Sequence, residues 1–284
     1  MATLRDVRRR IKSVKNIEQI TNAMQMVAAA RLRRAQEAAV SSRPYAEQMQ
    51  KVIATLSSAA QTVEHPLLEV RPETNIAVVV IGGERGLCGS YNVNVFRQLQ
   101  ELLRERDPGT VKLIAFGKKL ISHLRKLPYP VEMTQLLPER QAGFADIRNV
   151  AMTVRGMFES HKVDAVYLLY ARFISPMLQR PTVIRLLPVE KPAQAEELPT
   201  EYIFEPAPDK LFADLLPRYI DTLIYRALVE AIASEHGARM TAMSAATKNA
   251  GDMIETLTLA YNKARQSAIT KELLDIVGAA EALK

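Results

Sequence analysis

The sequence predicts an α+α/β protein in which long N- and C-terminal helices pair as an antiparallel coiled coil around a central α/β domain. Helix breakers are confined to the middle: of the 15 prolines only Pro44 precedes Pro66 and none follows Pro217, and eight of the 11 glycines fall between Gly82 and Gly156. Glycine costs a helix interior about 1 kcal/mol and proline about 3 kcal/mol relative to alanine. Both ends carry apolar residues at spacings of three and four, while the middle alternates short β-branched runs with amphipathic stretches. The expected divisions are an N-terminal coiled-coil helix (1–58), a central α/β domain (74–190), a connector (191–208) and a C-terminal coiled-coil helix (209–284).

In the first helix, Leu4, Val7, Ile11 and Val14 form a stripe that Ile17, Ile20, Met24 and Val27 continue after a three-residue step. Such a step is a stammer, which disturbs a strict heptad. Ala35, Ala38, Ser42, Tyr45, Met49, Val52 and Leu56 extend the face, with a kink expected at Pro44. A helix of this extent would run roughly 80 Å.

The middle reads as strand 75–81, helix 92–106, strand 111–116, helix 118–126, helix 144–160, strand 165–170 and strand 183–189. The last two are joined by a turn around Pro176 to Pro181. The proline-, alanine- and glutamate-rich stretch 190–208 reads as a connector. The last helix is expected to start near Asp209, and Met240, Met243, Ala246, Ala250, Ile254, Leu257, Tyr261, Ala264 and Ala268 mark one face of it. Gly237 and Gly251 are interruptions at which this helix is expected to bend. Small residues such as Ala242, Ala246 and Ala250 would let the two long helices approach closely.

The formal net charge is +7. Residues 1–60 hold eleven basic and four acidic side chains, whereas 61–217 hold nineteen of each and 218–284 eight of each. The whole excess therefore belongs to the first helix, whose partner is expected to be acidic. An acidic protein surface is the favoured partner, and nucleic acid is the alternative, giving a basic coiled-coil nucleic-acid-binding or scaffold protein. Against nucleic acid, the clusters 5–15 and 31–34 are separated by a stretch in which Glu18 is the lone charge.

Signatures of chemistry are weak. Gly82-Gly83-Glu84-Arg85-Gly86-Leu87-Cys88-Gly89-Ser90 follows a strand and precedes a helix, but neither G-x-G-x-x-G nor G-x-x-x-x-G-K-[ST] can be read in it, so it is expected to be a tight structural turn. His65, His123, His161 and His236 lack metal-ligand spacing, and a lone Cys88 excludes a disulfide within the chain. The expectation is no catalytic, cofactor or metal site. No apolar run approaches the roughly 20 residues of a membrane span, and the N-terminus lacks a secretory signal core, so a cytoplasm-facing location is expected.

Three separated segments carry a resemblance. Ile11 to Gln36 (IKSVKNIEQITNAMQMVAAARLRRAQ), Ser234 to Ala250 (SEHGARMTAMSAATKNA) and the closing ARQSAITKELLDIVGAAEAL are similar to the gamma subunit of bacterial F-type ATP synthases, as is the loop ERGLCGSYN. The resemblance implies a central rotor shaft turning inside a ring of alpha and beta subunits, with epsilon and the membrane c-ring at its foot. It implies coupling of proton flow to ATP synthesis or hydrolysis at the beta subunits, and a peripheral location on the cytoplasmic face of the membrane. By the same resemblance Met24, Arg31, Arg33, Arg34, Arg239, Arg265, Gln266 and Thr270 would contact beta or couple the helices. Ile276, Val277 and Leu283 would belong to an apolar bearing tip. The regulatory cysteine pair of chloroplast-type relatives is missing, and Ser90 stands where the family often has a second glycine.

Overall fold

The computed structural model describes residues 4–59, 65–189 and 208–282. Helix α1 spans Leu4–Ala59 and includes Pro44, and α5 spans Pro208–Ala282 and includes Pro217. Between them lie β1 (Ile76–Ile81), α2 (Tyr91–Leu103), β2 (Val111–Phe116), α3 (Lys118–Leu124), β3 (Val131–Gln135), α4 (Phe144–Glu159), β4 (Ala165–Ser175) and β5 (Leu178–Leu187). The connector expected at 191–208 lies outside the described residues except for Pro208. The contacts divide the chain into two compact units, one formed by 1–27 with 240–284 and the other by 28–239.

In the larger unit the five strands are ordered β3-β2-β1-β4-β5. The first four run parallel, and β5 returns antiparallel to β4. All six residues of β1 are buried, as expected of a central parallel strand covered on both faces. On one face Ile76, Val78 and Val80 meet Val95, Leu99 and Leu103 of α2 and Leu120 and Leu124 of α3. On the other, Ala77, Val79, Ile81 and Phe116 pack with α4 through Val150, Val154 and Phe158, and with α5 through Leu216, Ile220, Ile224 and Leu228. The α5 residues recur at a spacing of four, so the first turns of that long helix serve as a layer of the sheet domain.

Two strands differ from the sequence expectation. Val131–Gln135 is an edge strand whose residues are at most half buried, so it offers no apolar run to read. The turn after β4 is short, at Pro176 and Met177, and β5 begins at Leu178 and includes Pro181. A proline is tolerated there because β5 is the sheet edge. Gly237 leaves α5 unbroken: a Cβ there would lie 3.1 Å from the Phe173 ring and 3.2 Å from Pro176 Cα, so this glycine permits helix and hairpin to touch.

The smaller unit pairs the start of α1 with the later part of α5 in antiparallel sense. The Thr247 hydroxyl donates to Thr21 Oγ1 (2.8 Å), which donates on to Glu18 O (3.0 Å), and Gly251 lies beneath the Glu18 carboxylate. The seam on α1 runs through Leu4, Val7, Ile11, Val14, Glu18, Thr21 and Gln25, an unbroken alternation of three and four. No stammer occurs. Ile17, Ile20 and Val27 are 50%, 59% and 53% exposed, forming a second, outward apolar face. On α5 the seam follows Met240, Met243, Thr247, Ala250, Ile254, Leu257 and Tyr261, and from Asn262 to Val277 every side chain described is exposed.

Replacing Phe116, fully buried between β2 and the α4 layer, by alanine is expected to lower unfolding free energy by about 3–5 kcal/mol. Leu273→Ala, on the exposed stretch, should change it by no more than about 0.5 kcal/mol. Denaturant unfolding of the two variants side by side checks the contrast.

Candidate functional site

The loop between β1 and α2 occupies the place where an open parallel sheet ordinarily receives a ligand. Strand order reverses between β1 and β4, and ligands of such sheets sit beyond the carboxyl ends of the strands at that switch point. Here the loop turns through Leu87 (φ 59°) and Gly89 (φ 56°), and Gly117 (φ 97°) closes against it. A Cβ on Gly117 would come within 2.8 Å of Gly82 O, so the approach of the two backbones requires glycine.

Backbone N–H groups around this loop are taken by carboxylates of the chain itself. Glu235 of α5 accepts the backbone N–H groups of Glu84 (3.0 Å) and Arg85 (3.1 Å). Glu84 in turn accepts the N–H of Lys118 at the start of α3 and that of Leu137, each at 3.1 Å. Arg239, one turn along α5, pairs with Glu235 and donates to the carbonyls of Arg85 and Gly86 at 3.3 Å. Both members of the pair are buried, at 4% and 8% side-chain exposure. The Tyr91 hydroxyl adds a bond to Ala231 O (3.3 Å) and Ser234 Oγ one to Ala171 O (2.8 Å). The loop is thereby a clamp for α5, and burial of the pair is matched by hydrogen bonds on both charged groups.

Neighbouring titratable groups follow this enclosure. Burial, reinforced by Glu235, pushes the Cys88 thiol up, so the thiolate is disfavoured at this buried cysteine. His236 is held neutral: burial first, then Arg239, Arg31 and Arg85, bring its pKa down to about 4. Its Nδ1 lies 3.0 Å from an Arg239 guanidinium nitrogen, which can only donate, so Nδ1 accepts.

The residues singled out in the sequence separate into groups. Arg239 is buried in the clamp. Arg31 and Arg34 line one cavity, whereas Arg33 is exposed and pairs with Glu37 (3.0 Å). Met24 is half-buried on α1. Arg265, Gln266 and Thr270 are exposed, with the Thr270 hydroxyl turned back to Gln266 O (3.0 Å). Ile276 and Val277 are 62% and 57% exposed, and Leu283 lies outside the described residues. Glu235 and Glu84 carried no expectation, although an acid and an arginine four apart on one helix are a legible pair. Among the described residues no group of histidines, cysteines and carboxylates is arranged to hold a metal ion.

Residues 3–283 match the family model described as ATP synthase. The ATP synthase gamma chain of Desulfitobacterium hafniense is 47% identical over the whole of both chains, and that of Pelotomaculum thermopropionicum 43% over the same full extent. The chain belongs to the ATP synthase gamma-chain family. Its fold is also that of a chain in a Euglena gracilis mitochondrial ATP synthase structure containing OSCP, F1 and the c-ring. That match has a TM-score of 0.68 and 20% identity, and covers 99% of this chain and 94% of the other. A chain in the central stalk and c-ring structure from Tetrahymena thermophila matches with a TM-score of 0.61 and 24% identity, over 80% of this chain and 99% of that one.

The His236 environment gives a signed pH dependence. A folded pKa below the unfolded value of about 6.5 means that the unfolded chain binds the extra proton first as pH falls. Its contribution is full above pH about 6.5, declines down to pH about 4, and is flat below. The loss over that window is expected to approach about 3 kcal/mol, and His236→Asn should flatten that part of the profile. Thermal unfolding of both proteins between pH 7 and pH 4 measures the difference.

Proposed function

We propose that this gamma-family chain is the central rotor shaft of an F-type ATP synthase and carries no catalytic site of its own. On this reading it turns inside the ring of alpha and beta subunits, with the epsilon subunit and the c-ring at its foot, at the cytoplasmic face of the membrane. It transmits rotation between the c-ring, driven by proton flow, and the catalytic beta subunits, which make or hydrolyse ATP. No described helix is long and apolar enough to cross a membrane, which agrees with a peripheral place in the complex.

The observation that carries the reading is the unpaired end of α5. Ile269, Leu273, Leu274, Ile276 and Val277 are 50–65% exposed along a stretch with no buried residue described after Ala250. A lone helix of that length is marginal in water, and contiguous exposed apolar groups signal an interaction surface. An enclosing apolar sleeve would cover them and would favour no particular angle, as a bearing requires. The outward face of Ile17, Ile20 and Val27 on α1 supports the same surround.

Rotation acts through differential contact: a ligand or subunit shifts an equilibrium only as far as its interaction differs between states. A shaft with one basic helix presents a different surface to each beta subunit at each orientation. Arg33, exposed and outside the cavity, is the coupling contact that tests this most cleanly, with Met24, Arg31, Arg34, Arg265, Gln266 and Thr270 as further contacts.

Mixing the chain with alpha and beta subunits should yield a complex that hydrolyses ATP while this chain rotates. Failure to assemble, or hydrolysis without rotation, contradicts the shaft. In the membrane-reconstituted enzyme, Arg33→Glu should reduce ATP-driven pumping several-fold, and unchanged pumping would remove Arg33 from the contact.

A further inference from the structure

A cavity of about 50 Å³ opens between α1, the β3–α4 connection and α5, and its charged and titratable lining is Arg31, Arg34, Glu139, Arg140 and His236. None of the three arginine side chains has an ion-pair or hydrogen-bond partner among the described residues. Arg31 and Arg34 are three apart on α1 and so share a face, from which Arg33 is turned away. An adjoining cavity of about 30 Å³ shares Arg31 and His236 and is walled by Arg85 and Arg239.

The acids nearby are already engaged: Glu139 pairs with Arg85 (3.3 Å), Glu235 with Arg239, and Glu84 accepts two backbone N–H groups. The local field is therefore positive. Uncompensated like charges around a partly enclosed space repel one another and attract a counter-ion. One water needs about 10–15 Å³ of such volume, so the larger cavity has room for about three to five waters, or for one small tetrahedral anion. Planar guanidiniums are the side chains best matched to oxyanions because they present paired donors.

We propose that this cavity binds a small oxyanion of the phosphate class, with Arg31, Arg34 and Arg140 as its cationic ligands. The site is separate from the switch-point loop, where Glu235 and Glu84 already take the backbone N–H groups. His236 is its built-in reporter. The charged groups around that ring are Arg31 and Arg34 from α1, Glu84 and Arg85 from the loop after β1, Glu139 and Arg140 from the β3–α4 connection, and Glu235 and Arg239 on α5 itself. An anion seated among these cations offsets the repulsion that disfavours the imidazolium, so occupancy raises the His236 pKa.

The test titrates the full chain with inorganic phosphate, against sodium chloride at matched ionic strength, following the His236 ring protons by NMR and the thermal midpoint. Phosphate should raise the His236 pKa above about 4 and raise the midpoint saturably, whereas chloride should do neither. Arg34→Gln and Arg140→Gln, both at exposed positions, should each weaken the apparent affinity about tenfold. Arg97→Gln on α2 should leave it unchanged. Equal effects of phosphate and chloride on the wild-type chain overturn the site, as does undiminished binding by both cavity variants. The wild-type titration stands without any variant and without assembly into a larger complex, so its outcome is independent of the rotor reading.

Discussion

The buried pair Glu235–Arg239 and the loop it grips set how the sheet domain holds the long helix α5. Each partner would be expensive to bury alone, since breaking a buried pair by removing one member typically costs about 3–5 kcal/mol. Here the carboxylate accepts two backbone N–H groups and the guanidinium spans two carbonyls, so the charges are satisfied by the loop as well as by each other. Positive φ values at Leu87 and Gly89 turn that loop, and Gly117, after β2, packs against its start at Gly82 and Gly83. Apolar packing of Leu216, Ile220, Ile224 and Leu228 fixes the preceding turns of α5 on the sheet. The proposed shaft would need this combination, because torque could pass between sheet domain and helix only if the helix cannot slide or turn in its seat.

The same arrangement explains why a sheet of ligand-binding topology serves as a mount. In the loop after β1 the backbone N–H groups of Glu84 and Arg85 are taken by Glu235, and Glu84 takes those of Lys118 and Leu137 after β2 and β3. Cys88 is buried beside this network, where burial and Glu235 push its thiol up and disfavour the thiolate. The unmatched positive charge lies elsewhere, around the cavity of Arg31, Arg34 and Arg140, which is why an external anion is assigned to that cavity.

Much of this was legible in the residues. The β-branched runs at Ile76–Ile81 and Val111–Phe116 name buried strands because both of their faces are covered, and the closing signature ARQSAITKELLDIVGAAEAL names the family. Edge strand Val131–Gln135 was not legible, since half-exposed residues lack the apolar pattern that marks a strand. The helix seam misled for the opposite reason. Ile17, Ile20 and Val27 look like core, but the phase set by Leu4, Val7, Ile11 and Val14 carries Glu18, Thr21 and Gln25 inward and leaves the isoleucines outside. Apolar character there serves a surface to be covered from without, and one chain read alone cannot distinguish that from a core. The clamp has no local signature, because Glu235 and Glu84 meet across about 150 residues, a contact that only the fold brings about.

Amide hydrogen exchange of the folded Glu235→Ala chain tests the clamp most directly. If the pair holds the loop on α5, the amides of Glu84 and Arg85 should exchange at least about tenfold faster than in the wild type, while those of β1 from Ile76 to Ile81 stay protected. Unchanged exchange at Glu84 and Arg85 would contradict the account, because the loop would then be held by something other than Glu235.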